Sequence, residues 1–136
     1  MAARTEVYLD SGGLIAFLDD SDSFHSLYRR LFSDPPRLVS SFLVLTETNG
    51  WFLRRYDRRK AEQFLAFLDR FGACRFVPFD EGAIAEVAGV IRNYRDQKLT
   101  FADAHGLAII KARKIQTVWA TDWHWTLGGA RLVSEP

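Results

Sequence analysis

Apolar residues in this chain follow two alternating patterns: short uninterrupted runs, and longer stretches with apolar positions three or four residues apart. The short runs are typical of buried strands, and the longer stretches are typical of amphipathic helices. The runs predict five strands, at residues 7–9, 38–39, 76–79, 117–119 and 132–133. Pro78 cannot donate a ladder hydrogen bond, so the third strand is expected to lie at a sheet edge or to end there.

Helical stretches lie between the predicted strands. They begin at about residues 14, 24, 42, 58, 81 and 101. The first follows a break at Ser11-Gly12-Gly13, and the second ends before Pro35-Pro36. The predicted N-caps of the later helices are Ser41, Asp57, Asp80 and Thr100. Strands separated by helices indicate an α/β protein with a mostly parallel sheet covered on both faces.

Composition restricts the number of domains, the kind of partner and the location that are expected. The 136 residues are 48% hydrophobic and 14% aromatic, enough apolar surface for a single domain over residues 1–136. The 18 basic and 17 acidic side chains nearly balance, so any nucleic-acid binding must be local. The one cysteine, Cys74, is predicted to pack in the interior. With no signal-peptide pattern and no membrane-spanning apolar run, we expect a soluble, cytoplasmic protein without membrane contact.

Four acidic residues fall where a parallel sheet collects ligand sites. Asp10 follows the first strand and Asp122 follows the fourth, at the carboxyl ends of the strands. Asp103 lies in the first turn of a helix, and Glu47 lies on a helix among apolar or small neighbours, so both are candidates to face inward. Converging carboxylates repel one another unless cations or raised pKa values relieve the repulsion. Oxygen ligands without a Cys or His cluster favour Mg²⁺ or Mn²⁺ over zinc.

Each acid also has an ordinary structural alternative. Asp103 can close a capping box with Thr100, and Asp10 can cap the following helix or begin a turn. Asp122 can simply end a strand, and Glu47 can belong to a solvated helix face. The joint placement of the four acids is what favours a metal site.

The segments around these acids resemble one known family. They are Val7-Tyr8-Leu9-Asp10-Ser11, Thr46-Glu47, Leu99-Thr100-Phe101-Ala102-Asp103-Ala104 and Ala120-Thr121-Asp122. Over essentially its whole length the chain resembles PIN-domain ribonucleases, most like the toxin component of VapBC toxin–antitoxin pairs. The resemblance implies a three-layer α/β/α sandwich, RNA cleavage dependent on Mg²⁺ or Mn²⁺, homodimerisation, and inhibition by an antitoxin encoded alongside.

The resemblance also implies roles for single residues. The direct metal ligands it implies are Asp10, Asp103 and Asp122. Glu47 is implied to act as a ligand through water, and Ser11 and Thr121 to contact the ligands or the phosphate. Water then attacks the phosphate, which leaves a 5′-phosphate and a 3′-hydroxyl. The chain departs from the family pattern at Gly12-Gly13 and in the aromatic segment Trp123-His124-Trp125.

Other residues are candidates for contacts rather than chemistry. Five cations between positions 54 and 60 could contact RNA phosphates or a partner, with Tyr56 free to stack on a base; a solvated helix junction is the alternative. These cations are Arg54, Arg55, Arg58, Arg59 and Lys60.

The histidines and tryptophans have weaker claims to function. The scattered His25, His105 and His124 are given no catalytic role. The four tryptophans are predicted first as core or interface anchors, with Trp123 and Trp125 the best candidates for base stacking.

Several other functions compete with this interpretation. Haloacid-dehalogenase-like phosphatases carry Asp-x-Asp after the first strand, whereas this chain has Asp10-Ser11-Gly12. Dinucleotide binding and nucleotide triphosphate hydrolysis are excluded because the chain lacks their glycine-rich motifs. Two alternatives stay open: a non-catalytic PIN-like scaffold that binds RNA or protein, and a PIN nuclease that is not a toxin.

Overall fold

The computed structural model describes residues 5–133, and five parallel strands form its sheet. They are β1 (Glu6–Leu9), β2 (Arg37–Ser41), β3 (Cys74–Val77), β4 (Thr117–Trp119) and β5 (Arg131–Leu132). The strand order is β3-β2-β1-β4-β5, and all four pairings are parallel. In the central strand, Tyr8 is in register with Val39 on one side and Val118 on the other. β3 is an edge strand that ends before Pro78, as its sequence predicts.

Six α-helices and one short 3-10 helix connect and cover these strands. The helices are α1 (Ser11–Leu18), α2 (His25–Ser33), α3 (Phe42–Arg55), α4 (Arg58–Arg70), α5 (Glu81–Asn93), α6 (Phe101–Arg113) and the 3-10 helix Trp123–Gly128. Sequence patterns predict the six longer helices but not the 3-10 helix. No helix within residues 5–133 is long and apolar enough to cross a membrane.

Polar side chains fix where most helices begin. The predicted N-caps Ser41, Asp57 and Asp80 each accept a hydrogen bond from the first turn of their helix. The predicted break at Ser11-Gly12-Gly13 is wrong, because α1 begins at Ser11 directly after the strand. Asp10 makes this possible, since its carboxylate accepts a hydrogen bond from the backbone N–H of Gly12 and caps the helix.

The sheet separates two hydrophobic cores, which gives three layers. Successive side chains of a strand point to opposite faces, so Val7 and Leu9 lie on one face and Tyr8 on the other. The first core contains residues of α1 to α4, namely Leu14, Ala16, Tyr28, Val44, Phe52, Ala61 and Phe64. The second contains Leu107, Ile109 and Ile110 of α6 together with Trp125. This is the predicted α/β/α sandwich.

The order of the strands defines where a site can form. The connection after β1 leads to β2 on one side, while β4 pairs with β1 on the other side. At such a switch point the loops diverge and leave a crevice outside the carboxyl ends of the strands. Asp10 lies at this point, and its backbone N–H donates to the carbonyl of Trp119 at 3.0 Å.

Candidate metal centre

Three of the four predicted acids meet at the carboxyl edge of the sheet. One carboxylate oxygen each from Asp10, Glu47 and Asp103 lies within 4.8 Å of the other two. Asp10 follows β1, Glu47 lies in α3, and Asp103 lies in the first turn of α6. The site is therefore assembled from three parts of the chain that are distant in sequence.

The hydroxyl of Ser11 connects two of these acids. It lies 3.4 Å from Oε1 of Glu47 and 3.5 Å from Oδ1 of Asp10, close enough to donate to either. The other oxygen of Asp10, Oδ2, accepts the hydrogen bond from the N–H of Gly12 at 3.3 Å. Ser11 therefore contacts two of the acids, and its role toward a metal or a phosphate stays a prediction.

Thr100 connects the other pair of acids. Its hydroxyl donates to Oε2 of Glu47 at 3.3 Å and accepts from the backbone N–H of Asp103 at 3.1 Å. In return, the N–H of Thr100 donates to Oδ2 of Asp103 at 3.0 Å, which completes the predicted capping box. Asp103 therefore both caps α6 and belongs to the acid group.

Burial makes the charged forms of two of these acids costly. Asp10 is only 6% exposed, and burial with the nearby charges of Glu47 and Asp103 raises its pKa to about 7, despite its backbone hydrogen bonds. Burial and the charge of Asp103 also raise the pKa of Glu47. For Asp103 burial acts in the same direction, but contacts with His124 and the capping box outweigh it and lower the pKa.

The donor set fits a hard divalent cation. All three acids offer carboxylate oxygens, which are ligands that Mg²⁺ and Mn²⁺ prefer. Within the part of the chain that the structure describes, no lysine or arginine forms an ion pair with any of them. A bound cation would therefore relieve a repulsion that the protein leaves largely uncompensated.

The turn after β4 brings Thr121 beside Asp10. A Cβ atom at position 12 would lie 2.9 Å from Oγ1 of Thr121 and 3.6 Å from Oδ2 of Asp10. Gly12 therefore allows the start of α1 to approach this turn closely. The hydroxyl of Thr121 and the carboxylate of Asp10 thus both lie against Gly12, and the role of Thr121 toward a ligand or a phosphate stays a prediction.

Asp122 is not part of the group of three carboxylates. It occupies the N-cap position of the 3-10 helix, is exposed, and makes no capping hydrogen bond with its side chain. Its role as a direct metal ligand stays a prediction.

His124 is a residue of the site that the sequence analysis missed. Its Nε2 lies 3.4 Å from Oδ1 of Asp103. Burial would lower the pKa of His124, but its side-chain contact with Asp103 and the charges of Asp103, Asp122 and Asp10 outweigh burial and raise it. The other two histidines make structural hydrogen bonds, His25 to the carbonyl of Ala16 and His105 to the hydroxyl of Ser41. Only the tertiary contact with Asp103 distinguishes His124 from them.

The five predicted cations, here called the basic segment, lie at the junction of α3 and α4. They are Arg54, Arg55, Arg58, Arg59 and Lys60. Arg54 is seven residues beyond Glu47 on the same helix, or roughly 10 Å along its axis. The ring of Tyr56 is covered by the guanidinium of Arg55 at 5.5 Å and the ammonium of Lys60 at 5.7 Å. This surface is separate from the acids but close enough for one extended polyanion to contact both.

The two tryptophans predicted as candidates for base stacking differ sharply. Trp125 is fully buried against Tyr8, with ring centroids 5.2 Å apart, so the stacking prediction is wrong for Trp125. Gly106 permits this packing, because a Cβ atom there would lie 2.5 Å from the indole. Trp123 is 62% exposed and remains available.

Comparison with known proteins agrees with this architecture. The profile of the PIN domain matches residues 7–126, and the chain therefore belongs to the PIN domain family. A solved structure with a similar fold is that of VapC20 from Mycobacterium tuberculosis, a toxin that cleaves the sarcin-ricin loop. The two chains are 22% identical and superpose with a TM-score of 0.81, over 92% of this chain and 96% of that one. No curated protein matches the sequence.

Proposed function

We propose that this chain is a metal-dependent ribonuclease, a single domain over residues 1–136 that hydrolyses RNA phosphodiester bonds. The observation that carries the proposal is the group formed by the buried Asp10 and the partly buried Glu47 and Asp103 at the switch point of the sheet. Membership of the PIN domain family and a fold shared with an RNA-cleaving toxin support it.

The acids of the site are assigned two roles, metal binding and orientation of the attacking water. Asp10 and Asp103 would hold Mg²⁺ or Mn²⁺ directly, with Asp122 as a further ligand and Glu47 acting through water. When bound, the cation would neutralise charge on the phosphate and lower the pKa of the attacking water. Ser11 and Thr100 each contact one oxygen of Glu47, so this side chain is held in an orientation suited to direct that water. Burial raises the pKa of Glu47, which also suits it to accept a proton.

The biological setting in this proposal follows from the family resemblance and the structural match. The enzyme acts in the cytoplasm as a homodimeric toxin and is neutralised by a cognate antitoxin. The basic segment binds either the RNA backbone or the antitoxin. Because the similar toxin VapC20 cleaves the sarcin-ricin loop, this RNA is a reasonable first substrate to test.

Cleavage of a panel of structured RNAs, including the sarcin-ricin loop, tests the proposal. Wild type, Asp10→Asn and Asp69→Asn are compared with Mg²⁺, with Mn²⁺ and with chelator. Asp69 is an exposed acid of α4, so its substitution removes the same charge away from the site. Wild type and Asp69→Asn should cut only with metal, leaving 5′-phosphate ends. Asp10→Asn should be at least ~100-fold slower, because it weakens metal charge stabilisation worth several kcal/mol.

Other outcomes separate the alternatives. Equal cutting by wild type and Asp10→Asn would place the activity elsewhere. No cutting, together with no metal binding in calorimetry, would favour a non-catalytic PIN-like scaffold. Metal-dependent cutting without growth arrest on expression, and without an antitoxin gene beside the coding sequence, would indicate a nuclease that is not a toxin.

A further inference from the structure

The two oxygens of Asp103 are held from two different elements. Oδ2 accepts the N–H of Thr100 within the capping box of α6. Oδ1 lies 3.4 Å from Nε2 of His124, which belongs to the 3-10 helix. The capping box is local to α6 and fixes one oxygen, so the contact with the 3-10 helix restricts rotation of the carboxylate about its remaining torsion.

The contact is specific to one atom of His124. Nε2 is buried, and among the described residues it forms an ion-pair contact with Asp103 but no hydrogen bond that meets ordinary geometry. Its interaction with Oδ1 is therefore an ion pair or a bent hydrogen bond. A buried polar atom without a hydrogen bond needs an explanation, and its contact with Asp103 supplies one.

The element that carries His124 is rigidly seated. The His124 ring packs on Trp125, with ring centroids 5.1 Å apart. Trp125 is itself fully buried between Tyr8 and the backbone of α6 at Gly106. The imidazole is therefore presented to Asp103 by packing that does not depend on the contact itself.

We infer that His124 is a positioning residue of the acid site, whose Nε2 holds Oδ1 of Asp103 and so fixes this carboxylate relative to Asp10 and Glu47. The inference rests on the proposed function, because it assigns His124 to a metal site. Residues that orient metal ligands in this way typically change metal affinity or activity by 10- to 100-fold when they are removed.

Three substitutions at one position separate positioning from packing. His124→Phe keeps a ring against Trp125 but has no N–H. His124→Gln can place its amide nitrogen where Nε2 lies, whereas the shorter His124→Asn cannot reach that far. The matched control is His25→Phe, which removes an imidazole hydrogen bond to Ala16 on α1 rather than a contact with an acid of the site.

Calorimetric titration with Mn²⁺ is the primary measurement, with thermal melting of each metal-free variant beside it. We expect Mn²⁺ affinity to fall about 10-fold or more in His124→Phe and His124→Asn, and to recover substantially in His124→Gln. His25→Phe should lower the melting temperature while leaving Mn²⁺ affinity unchanged. If the Phe variant does not fold, the comparison of Gln with Asn decides the question.

Wild-type affinity in His124→Asn, or equal losses in the Gln and Asn variants, would overturn the inference. An equal loss in His25→Phe would also overturn it, because the effect would then be general destabilisation. Wild type that binds Mn²⁺ but cuts no RNA would defeat the proposed function, and the affinity comparison would still decide the role of His124. Wild type that binds no Mn²⁺ would defeat both.

Discussion

Two aspartates at opposite ends of α1 are both buried, yet their pKa values are shifted in opposite directions. Asp10 caps the N-terminus of the helix and is 6% exposed, and Asp19 follows its C-terminus and is 4% exposed. Burial raises the pKa of Asp10 to about 7. For Asp19 burial acts in the same direction, but its hydrogen bonds outweigh burial and lower the pKa. The helix dipole alone would give the reverse order.

The partners of the two carboxylates explain the difference. Asp19 accepts hydrogen bonds from the hydroxyl of Ser21 at 2.7 Å, the N–H of Ser21 at 3.1 Å and the hydroxyl of Tyr56 at 2.9 Å. Asp10 has contacts of 3.3 and 3.5 Å and faces two other carboxylates. The dipole contributes up to about 1 kcal/mol, less than the roughly 4 kcal/mol that corresponds to a shift of about three pKa units. A buried carboxylate without sufficient partners, placed among other acids, is suited to bind a cation.

The largest expected effect is a loss of stability of the metal-free protein as pH rises. Folded Asp10 keeps its proton up to about pH 7, whereas the unfolded residue loses it near pH 4. The folded state binds more protons between these two pH values, so stability falls there as pH rises. From about pH 5 to about pH 8 the fall is about 3 kcal/mol, and stability changes little above that range. Thermal melts in chelator measure this fall. It should be much smaller in Asp10→Asn, and a flat wild-type profile would contradict the assignment.

Substituting the two aspartates should have opposite consequences for stability. Asp19→Asn replaces a charged acceptor of three hydrogen bonds, and we expect a loss of about 2 kcal/mol in the free energy of unfolding in urea. Asp10→Asn removes a costly buried charge and should stabilise the metal-free protein at about pH 8. RNA cleavage should survive in Asp19→Asn and be lost in Asp10→Asn. Equal destabilisation by both variants would show that the two carboxylates are equivalent.

Ser11 at the start of α1 and Ser21 just beyond its end allow the two aspartates to be compared through their hydrogen-bond partners. Ser21→Ala removes the 2.7 Å hydrogen bond to Asp19 and should cost about 1 kcal/mol of stability without changing Mn²⁺ affinity. Ser11→Ala removes two longer contacts, so it should cost less stability but weaken Mn²⁺ binding several-fold. Urea unfolding and calorimetry separate the two effects. The prediction fails if Ser21→Ala alters Mn²⁺ affinity as much as Ser11→Ala does.

The smallest expected effect concerns the basic segment, which Tyr56 links to Asp19. The double variant Arg58→Ala with Arg59→Ala, tested in the Asp10→Asn background, should bind RNA several-fold more weakly. If both arginines contact phosphates, the slope of log affinity against log salt should decrease in magnitude by about 1.4. The control is Arg92→Ala with Arg95→Ala, two exposed residues at and just beyond the end of α5. An unchanged slope would leave antitoxin binding as the proposed role of this segment.

The sequence by itself predicts the order and type of most elements. Periodicity and capping act within a few residues, so the helices after Ser41, Asp57, Asp80 and Thr100 begin where predicted. The start of α1 was missed because Gly12-Gly13 is an unusual first turn, tolerated here through capping by Asp10 and close packing against β4. The 3-10 helix was missed because its residues lack a periodic apolar pattern.

For the site, the sequence determined which acids to consider, because residues after parallel strands and at helix starts share one edge of the sheet. Only the tertiary structure decided that Asp10, Glu47 and Asp103 converge while Asp122 lies outside their group. It alone placed His124 against Asp103. The reason is physical: periodicity and capping are local properties of the chain, whereas the direction of a side chain on a turn, and the charges around it, depend on packing between elements distant in sequence.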